Sequence, residues 1–245
     1  MFTNTYRLAE RTIRISSQYD QVHRLCRDYV VNSTQTDFSV CTSQADIAFE
    51  RNRSYREDNP DEGAVRSYSD AYLETLAVYR QIAERMPVYD TVLMHGSCVA
   101  VDGVGYLFTA KSGTGKSTHT RFWRELLGAK AQMINDDKPL IRIGEEGVLI
   151  FGTPWDGKHR LSTNCSVPLR AICLLTRGEH NEIQPISPIE AYPMLVQQIY
   201  RPLDEAALHQ TMGLIDRLLG HVRFWRLRCR PDLQAAEVAW QAMKP

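Results

Sequence analysis

A mixed α/β fold, with a partly antiparallel sheet around a phosphate-cradling loop, is what this 245-residue sequence predicts. Three observations carry that expectation. From Thr91 the chain passes through short apolar runs with few long helical stretches between them. Residues 104–127 read as strand, glycine-rich loop and helix. Beyond Ser187, apolar residues recur at helical spacing, so helices are expected to pack at the C-terminal end.

Residues 1–90 read as an N-terminal α/β extension, and nothing in their composition decides whether they share the domain of the core, residues 91–245. Thr12–Ser16 is strand-like. Arg51–Ser67 is charged and rich in turn formers, which suggests a loop or a boundary. From Ser69 to Met86, the positions Tyr72, Leu76, Tyr79, Ile82, Ala83 and Met86 keep the 3.6-residue period of a one-faced helix, which Pro87 helps to end. Strands are then expected at Val92–Met94, Cys98–Val101, Tyr106–Phe108, Gln132–Ile134, Leu140–Ile143, Val148–Phe151 and Ala171–Leu175. Asp102-Gly103 tolerates the positive φ angles of a tight hairpin, so the strand entering the glycine-rich loop should pair with its predecessor. In the tail, Ser187-Pro188-Ile189-Glu190 has the pattern of a capping box, with Pro193 expected to kink or delay the helix. Asp204–Leu219 and Asp232–Met243 carry apolar faces, and Gly220 is placed to close the first of them.

Composition narrows the partners. With 43% apolar residues the chain can bury one substantial core, and its 29 basic and 29 acidic residues cancel. No global field draws it to nucleic acid or to an anionic membrane, so any anion site must be local. No apolar run approaches the roughly 18 residues of a bilayer span, and the opening residues lack a signal-peptide core, which makes the cytoplasm the expected location. The six cysteines form no C-x-x-C pair and read as buried thiols; the alternative is Cys165 as a nucleophile beside His159.

Ala110-Lys111-Ser112-Gly113-Thr114-Gly115-Lys116-Ser117 matches the P-loop pattern except at the first position, where alanine replaces glycine and is tolerable at negative φ. Glycines at 113 and 115 let successive backbone N–H groups turn inward around phosphate oxygens. Lys116 supplies a charge for the β and γ phosphates, Ser117 a hydroxyl for Mg2+, and the helix from Thr118 its positive end. ATP is the expected nucleotide, with Ser112, Gly113, Thr114, Gly115, Lys116, Ser117 and Thr118 around its phosphates.

With Met94-His95-Gly96-Ser97 ahead of this loop and Asn135-Asp136-Asp137 behind it, residues 91–140 resemble the HPr kinase and ATP-dependent phosphoenolpyruvate carboxykinase superfamily. Over nearly its whole length the chain also resembles small bacterial proteins of this class carrying A-K-S-G-T-G-K-S-T-H and G-T-P-W-x-G-K. The resemblance implies a core like the C-terminal domain of those enzymes, with Lys116 and Ser117 in their usual roles. It implies that one of Asp136 and Asp137 helps hold divalent metal and that the other accepts a hydroxyl proton, without deciding which. His95, by itself more often a packed core residue, moves by resemblance toward the metal or the transferred group. Self-association is implied because HPr kinases form oligomers. The turn-rich stretch Gly152–Arg160 either closes over substrate, with Lys158 and more weakly Arg160 against phosphoryl charge, or is a β-turn anchored by Trp155.

Three functions follow. The first is an ATP- and Mg-dependent kinase acting on a hydroxyl, of a protein or peptide serine or of a small molecule. The second is a carboxykinase, which the short chain disfavours. The third is a nucleotide-binding regulatory module with little turnover, against which the full set Lys116, Ser117, Asp136 and Asp137 argues. The R-G-x-G-I segment of HPr kinases is absent, which leaves the acceptor open.

Overall fold

The computed structural model describes residues 1–57 and 67–245 and divides into two compact units, Met1–Ala83 and Glu84–Pro245. In the first unit, β1 (Phe2–Leu8) and β2 (Arg11–Ser17) form an antiparallel hairpin, turned at Ala9 and Glu10 with φ of 46° and 64°. After α1 (Gln21–Leu25), β3 (Phe38–Cys41) joins β2 in parallel, giving the order β1-β2-β3.

Two longer helices complete this unit, α2 (Gln44–Glu57) and α3 (Asp70–Arg85), whose last two residues fall in the second unit. The helix expected from apolar spacing is present, but its buried face is rotated: Leu73, Ala77, Val78, Tyr79, Ile82 and Ala83 are buried, whereas Tyr72 is exposed and Leu76 only half-buried. Part of the segment expected to be a loop is helical instead. Arg80 of α3 reaches Glu50 at 2.6 Å and Asp46 at 3.0 Å, and Arg51 pairs with Asp70, so the polar surface of α2 finds partners that a local reading cannot see. Residues 58–66 of that segment lie outside the described residues. Glu74 is fully buried, and it accepts from the Gln18 and Tyr19 amides at 2.7 and 2.8 Å and from the Thr42 hydroxyl at 2.6 Å.

The second unit holds a nine-stranded mixed sheet. Its elements are β4 (Thr91–Leu93), β5 (Ser97–Val101), β6 (Val104–Thr109), α4 (Lys116–Leu127), β7 (Ala131–Asn135), β8 (Leu140–Ile143), β9 (Val148–Phe151), β10 (Ser166–Arg177), β11 (Glu182–Ile186), α5 (Pro188–Gln198), α6 (Glu205–His221), β12 (Arg223–Cys229) and α7 (Leu233–Met243). The sheet runs β4-β8-β9-β10-β6-β5-β7, with β12 also on β10 and β11 on β12. The Asp102-Gly103 hairpin is present, with φ of 50° and 79° between antiparallel β5 and β6.

Because β5 is antiparallel to both β6 and β7, those two strands point the same way, and β10 and β12 lie parallel to β6 and to β10. Four strands therefore deliver their C-terminal ends to one edge of the sheet, where open α/β folds place ligands. Side chains alternate between two cores. Ala171, Cys173 and Leu175 of β10 pack with Trp123 of α4 and Ala236 of α7, whereas Ile172 and Leu174 pack with Leu195 of α5 and Leu214 and Leu218 of α6.

The tail departs from expectation in three places. It contains β11 and β12 among its helices, and the arginines at 223, 226 and 228 hide the strand alternation of Phe224 and Leu227. Pro193 sits inside a continuous α5, one turn beyond a capping box made by Ser187 and Glu190. Gly220 is helical, and α6 closes at Val222. The cysteine reading holds for Cys26, Cys98 and Cys173, but Cys41 is exposed and Cys165 and Cys229 are half-buried. Among the described residues, no helix is long and apolar enough to cross a membrane.

Candidate functional site

The loop between β6 and α4 takes its form from two left-handed glycines. Gly113 (φ 75°) completes a turn closed by the Thr114 amide on the Lys111 carbonyl at 3.3 Å, and Gly115 (φ 116°) precedes the first turn of α4. A Cβ at either position would meet nothing within 4 Å, so backbone conformation, not space, requires glycine there. Ala110 is not among the positive-φ residues, which explains why alanine is accommodated at the first position of the motif.

Lys116 is buried and its Nζ donates to the Ala110 carbonyl at 3.1 Å. Burial lowers its pKa, Asp137 and Asp136 pull it back up, and Lys138 pushes it down. Ser117 is exposed at the helix start, and Ser112, Thr114 and Thr118 line the same loop and first turn.

At the end of β7 the fully buried Asn135 shapes the acidic turn. Its Oδ1 accepts from the Asp137 and Lys138 amides at 2.9 and 2.7 Å, and its Nδ2 donates to the Thr153 carbonyl and hydroxyl at 3.1 and 3.0 Å. The two aspartates then diverge. Asp136 is 6% exposed; its Oδ1 accepts from Ser97 Oγ at 2.6 Å, which lies 2.7 Å from Thr120 Oγ1 on the same face of α4 as Lys116. Its Oδ2 has no hydrogen-bond partner among the described residues. Asp137 is more open: Lys138 pairs with one oxygen and His95 Nε2 lies 3.5 Å from the other.

His95 is held by its neighbours in the fold, with its amide on the Gln198 carbonyl at 2.8 Å and Nδ1 3.0 Å from Gln198 Oε1. Oε1 can only accept, so Nδ1 carries the hydrogen of that contact, and Nε2 lies on the Asp137 side of the ring. Burial, reinforced by Lys116, lowers the His95 pKa, while Asp137 raises it.

The stretch Gly152–Arg160 packs against this turn. A Cβ on Gly152 would lie 1.9 Å from the Thr163 carbonyl oxygen, and one on Gly157 would lie 2.8 Å from Asp136 Oδ2. Trp155 is buried, so its ring is an anchor and offers no face to a ligand. Asp156 binds the Ser162 amide and hydroxyl at 3.1 and 3.0 Å and Arg160 at 3.1 Å. Lys158, His159 and Arg160 are exposed at the rim, and Lys158 has no hydrogen-bond partner among the described residues.

Lys116, Asp136, Asp137 and His95 are thus brought together beside the loop, and Lys158 is exposed on the turn that adjoins Asp136. The sequence gives no separate role to Ser97, Thr120, Asn135, Lys138, Gly157 or Gln198, although the first, third and fifth of these lie within its motifs. A hydroxyl two residues after His95 was a weak signal for Ser97; nothing local could mark Gln198, 103 residues from its partner.

Comparison with known proteins places residues 67–213, more than half of the chain, within the family model described as SynChlorMet cassette protein ScmC. The chain belongs to the ScmC family. No curated protein matches it. Among solved structures, the HPr(Ser) kinase/phosphatase from Coxiella burnetii aligns to the ScmC-family chain at 14% identity, over 51% of this chain and 96% of that one, with a TM-score of 0.28.

Proposed function

We propose that this chain is a P-loop phosphotransferase of HPr-kinase-like fold, which moves the γ-phosphoryl group of ATP to a hydroxyl on a peptide, protein or small molecule. The observation that carries the reading is the gathering of Lys116, Asp136, Asp137 and His95 at the ends of β6 and β7, directly beside a loop with left-handed glycines. A nucleotide-binding scaffold needs the loop alone. A transferase also needs carboxylates at the far end of the phosphate chain.

In this reading the loop amides and the first turn of α4 bind polyphosphate, and Lys116 turns from the Ala110 carbonyl to the β and γ oxygens. The oxygen donors fit Mg2+, which takes few protein ligands beside phosphate: the Ser117 hydroxyl and Asp136, whose Oδ1 is fixed by Ser97 and whose Oδ2 is open. Bound there, the metal would neutralise charge on the phosphoryl oxygens. Asp137, beside Nε2 of His95, takes the hydroxyl proton of the acceptor as the new O–P bond forms and the bond from the γ-phosphorus to the β,γ-bridging oxygen breaks, releasing ADP. Lys138 competes for Asp137 in the nucleotide-free protein. Lys158, on the turn touching Asp136, meets charge on the phosphates or the acceptor.

The test is calorimetric titration with ATP and a non-hydrolysable analogue, with and without Mg2+, for the wild type and Lys116→Ala, followed by transfer of label from ATP to serine peptides. Magnesium-dependent binding that the variant loses supports the reading. A folded wild type that binds no nucleotide refutes it.

A further inference from the structure

On the side of β6 opposite the aspartates, β10 ends at Arg177, an exposed residue whose Nη2 donates to the Gly113 carbonyl at 2.6 Å. It pairs with no carboxylate among the described residues. The ionised guanidinium makes this a charge-assisted hydrogen bond to a neutral carbonyl. The contact is one of geometry as much as charge. In a loop whose N–H groups are to face an anion, the carbonyls must face outward, and Arg177 holds one of those carbonyls from outside.

Its base is rigid. The next residue, Gly178, donates its amide to the Cys229 carbonyl at 3.0 Å, and a Cβ there would lie 2.3 Å from Arg228 Cγ, so the chain end is clamped against β12. β10 pairs with β6 as far as Leu174 and with β12 out to Arg177 itself. A cationic side chain rooted on a paired strand thus fixes the orientation of one peptide of the anion loop.

We propose that Arg177 is a positioning residue of the phosphate loop, which holds the Gly113 peptide outward so that the loop amides turn inward to the polyphosphate of the nucleotide. The inference rests on the nucleotide-binding reading above. It adds a cation from a strand outside the loop motif, on the flank away from Lys116 and Asp137.

The experiment is titration of Mg-ATP, and of adenosine as a probe without phosphates, into the wild type, Arg177→Met and Arg177→Lys, with unfolding midpoints for all three. Arg177→Met should weaken Mg-ATP binding about tenfold, as expected for one lost charge-assisted contact. It should leave adenosine binding and the midpoint unchanged, and Arg177→Lys should recover only part of the loss because it lacks the planar fork. Equal Mg-ATP affinity in Arg177→Met and wild type overturns the inference while the nucleotide site stands. A fall in affinity matched by a fall of several degrees in midpoint also overturns it, by making the role structural. A wild type that binds no Mg-ATP overturns the inference together with the reading beneath it.

Discussion

Glu74 in the first unit and Asp136 in the second are both buried carboxylates, and their surroundings differ in a way that separates scaffold from chemistry. Glu74 accepts three hydrogen bonds, two of them from backbone amides, and both of its oxygens are engaged. Asp136 has one oxygen on Ser97 and the other, beside the bare Cα of Gly157, without a donor among the described residues. A buried charge is tolerated when it is fully hydrogen-bonded. Where a fold instead keeps such a group half-satisfied, it holds back bonding capacity for something that arrives later.

Exchange of each acid tests that contrast. Asp136→Asn should reduce phosphoryl transfer by about 10² to 10³, the scale of losing one preorganised electrostatic group, while leaving the unfolding midpoint unchanged or higher. Asp137→Asn should lose transfer on a similar scale yet retain Mg-ATP binding; both are read by labelled-ATP transfer and calorimetry. If both variants keep wild-type rates, the acidic turn has no chemical role.

Glu74→Ala should do the reverse of Asp136→Asn. It orphans two amides and a hydroxyl, and should cost about 3 kcal/mol in denaturant unfolding. A smaller effect follows from Ser97→Ala, which frees Asp136 Oδ1: transfer should fall about tenfold, mainly in kcat, with Ser97→Thr restoring part of it. An unchanged rate would show that the Thr120–Ser97–Asp136 chain has no part in catalysis.

The least effect belongs to pH and again to the scaffold. His23 accepts at Nδ1 from the Tyr6 hydroxyl at 2.6 Å and faces Ser17 Oγ at 2.9 Å, and burial chiefly lowers its pKa. The unfolded chain therefore takes up a proton at higher pH than the folded one. Stability from neutral His23 is complete above about 6.5 and is lost as pH falls through the lower folded value. The midpoint should drop between pH 7 and 5, and His23→Gln should flatten that slope.

Much of the second unit was legible because its signals are local. Short apolar runs gave all seven expected strands, Asp102-Gly103 gave the hairpin, and Ser187 with Glu190 gave the capping box. What escaped depends on distant partners. β12 is a strand because β10 and β11 flank it, α2 keeps its charged end because Arg80 and Asp70 meet it, and Pro193 is absorbed by a helix anchored through Leu195. The motif residues of the candidate site could be named from spacing, but the groups that orient them, Ser97, Asn135 and Gln198, answer to tertiary geometry.

The Arg177–Gly113 contact joins residues 64 positions apart, and its strand reaches onward to β12. Contacts of that separation repay their loop-closure entropy only when made, so this part of the sheet is expected to form late as the chain folds. The anion loop then gains its outer support only once the sheet is closed. Nucleotide should accordingly act as a brake on unfolding, with little effect on the rate of folding.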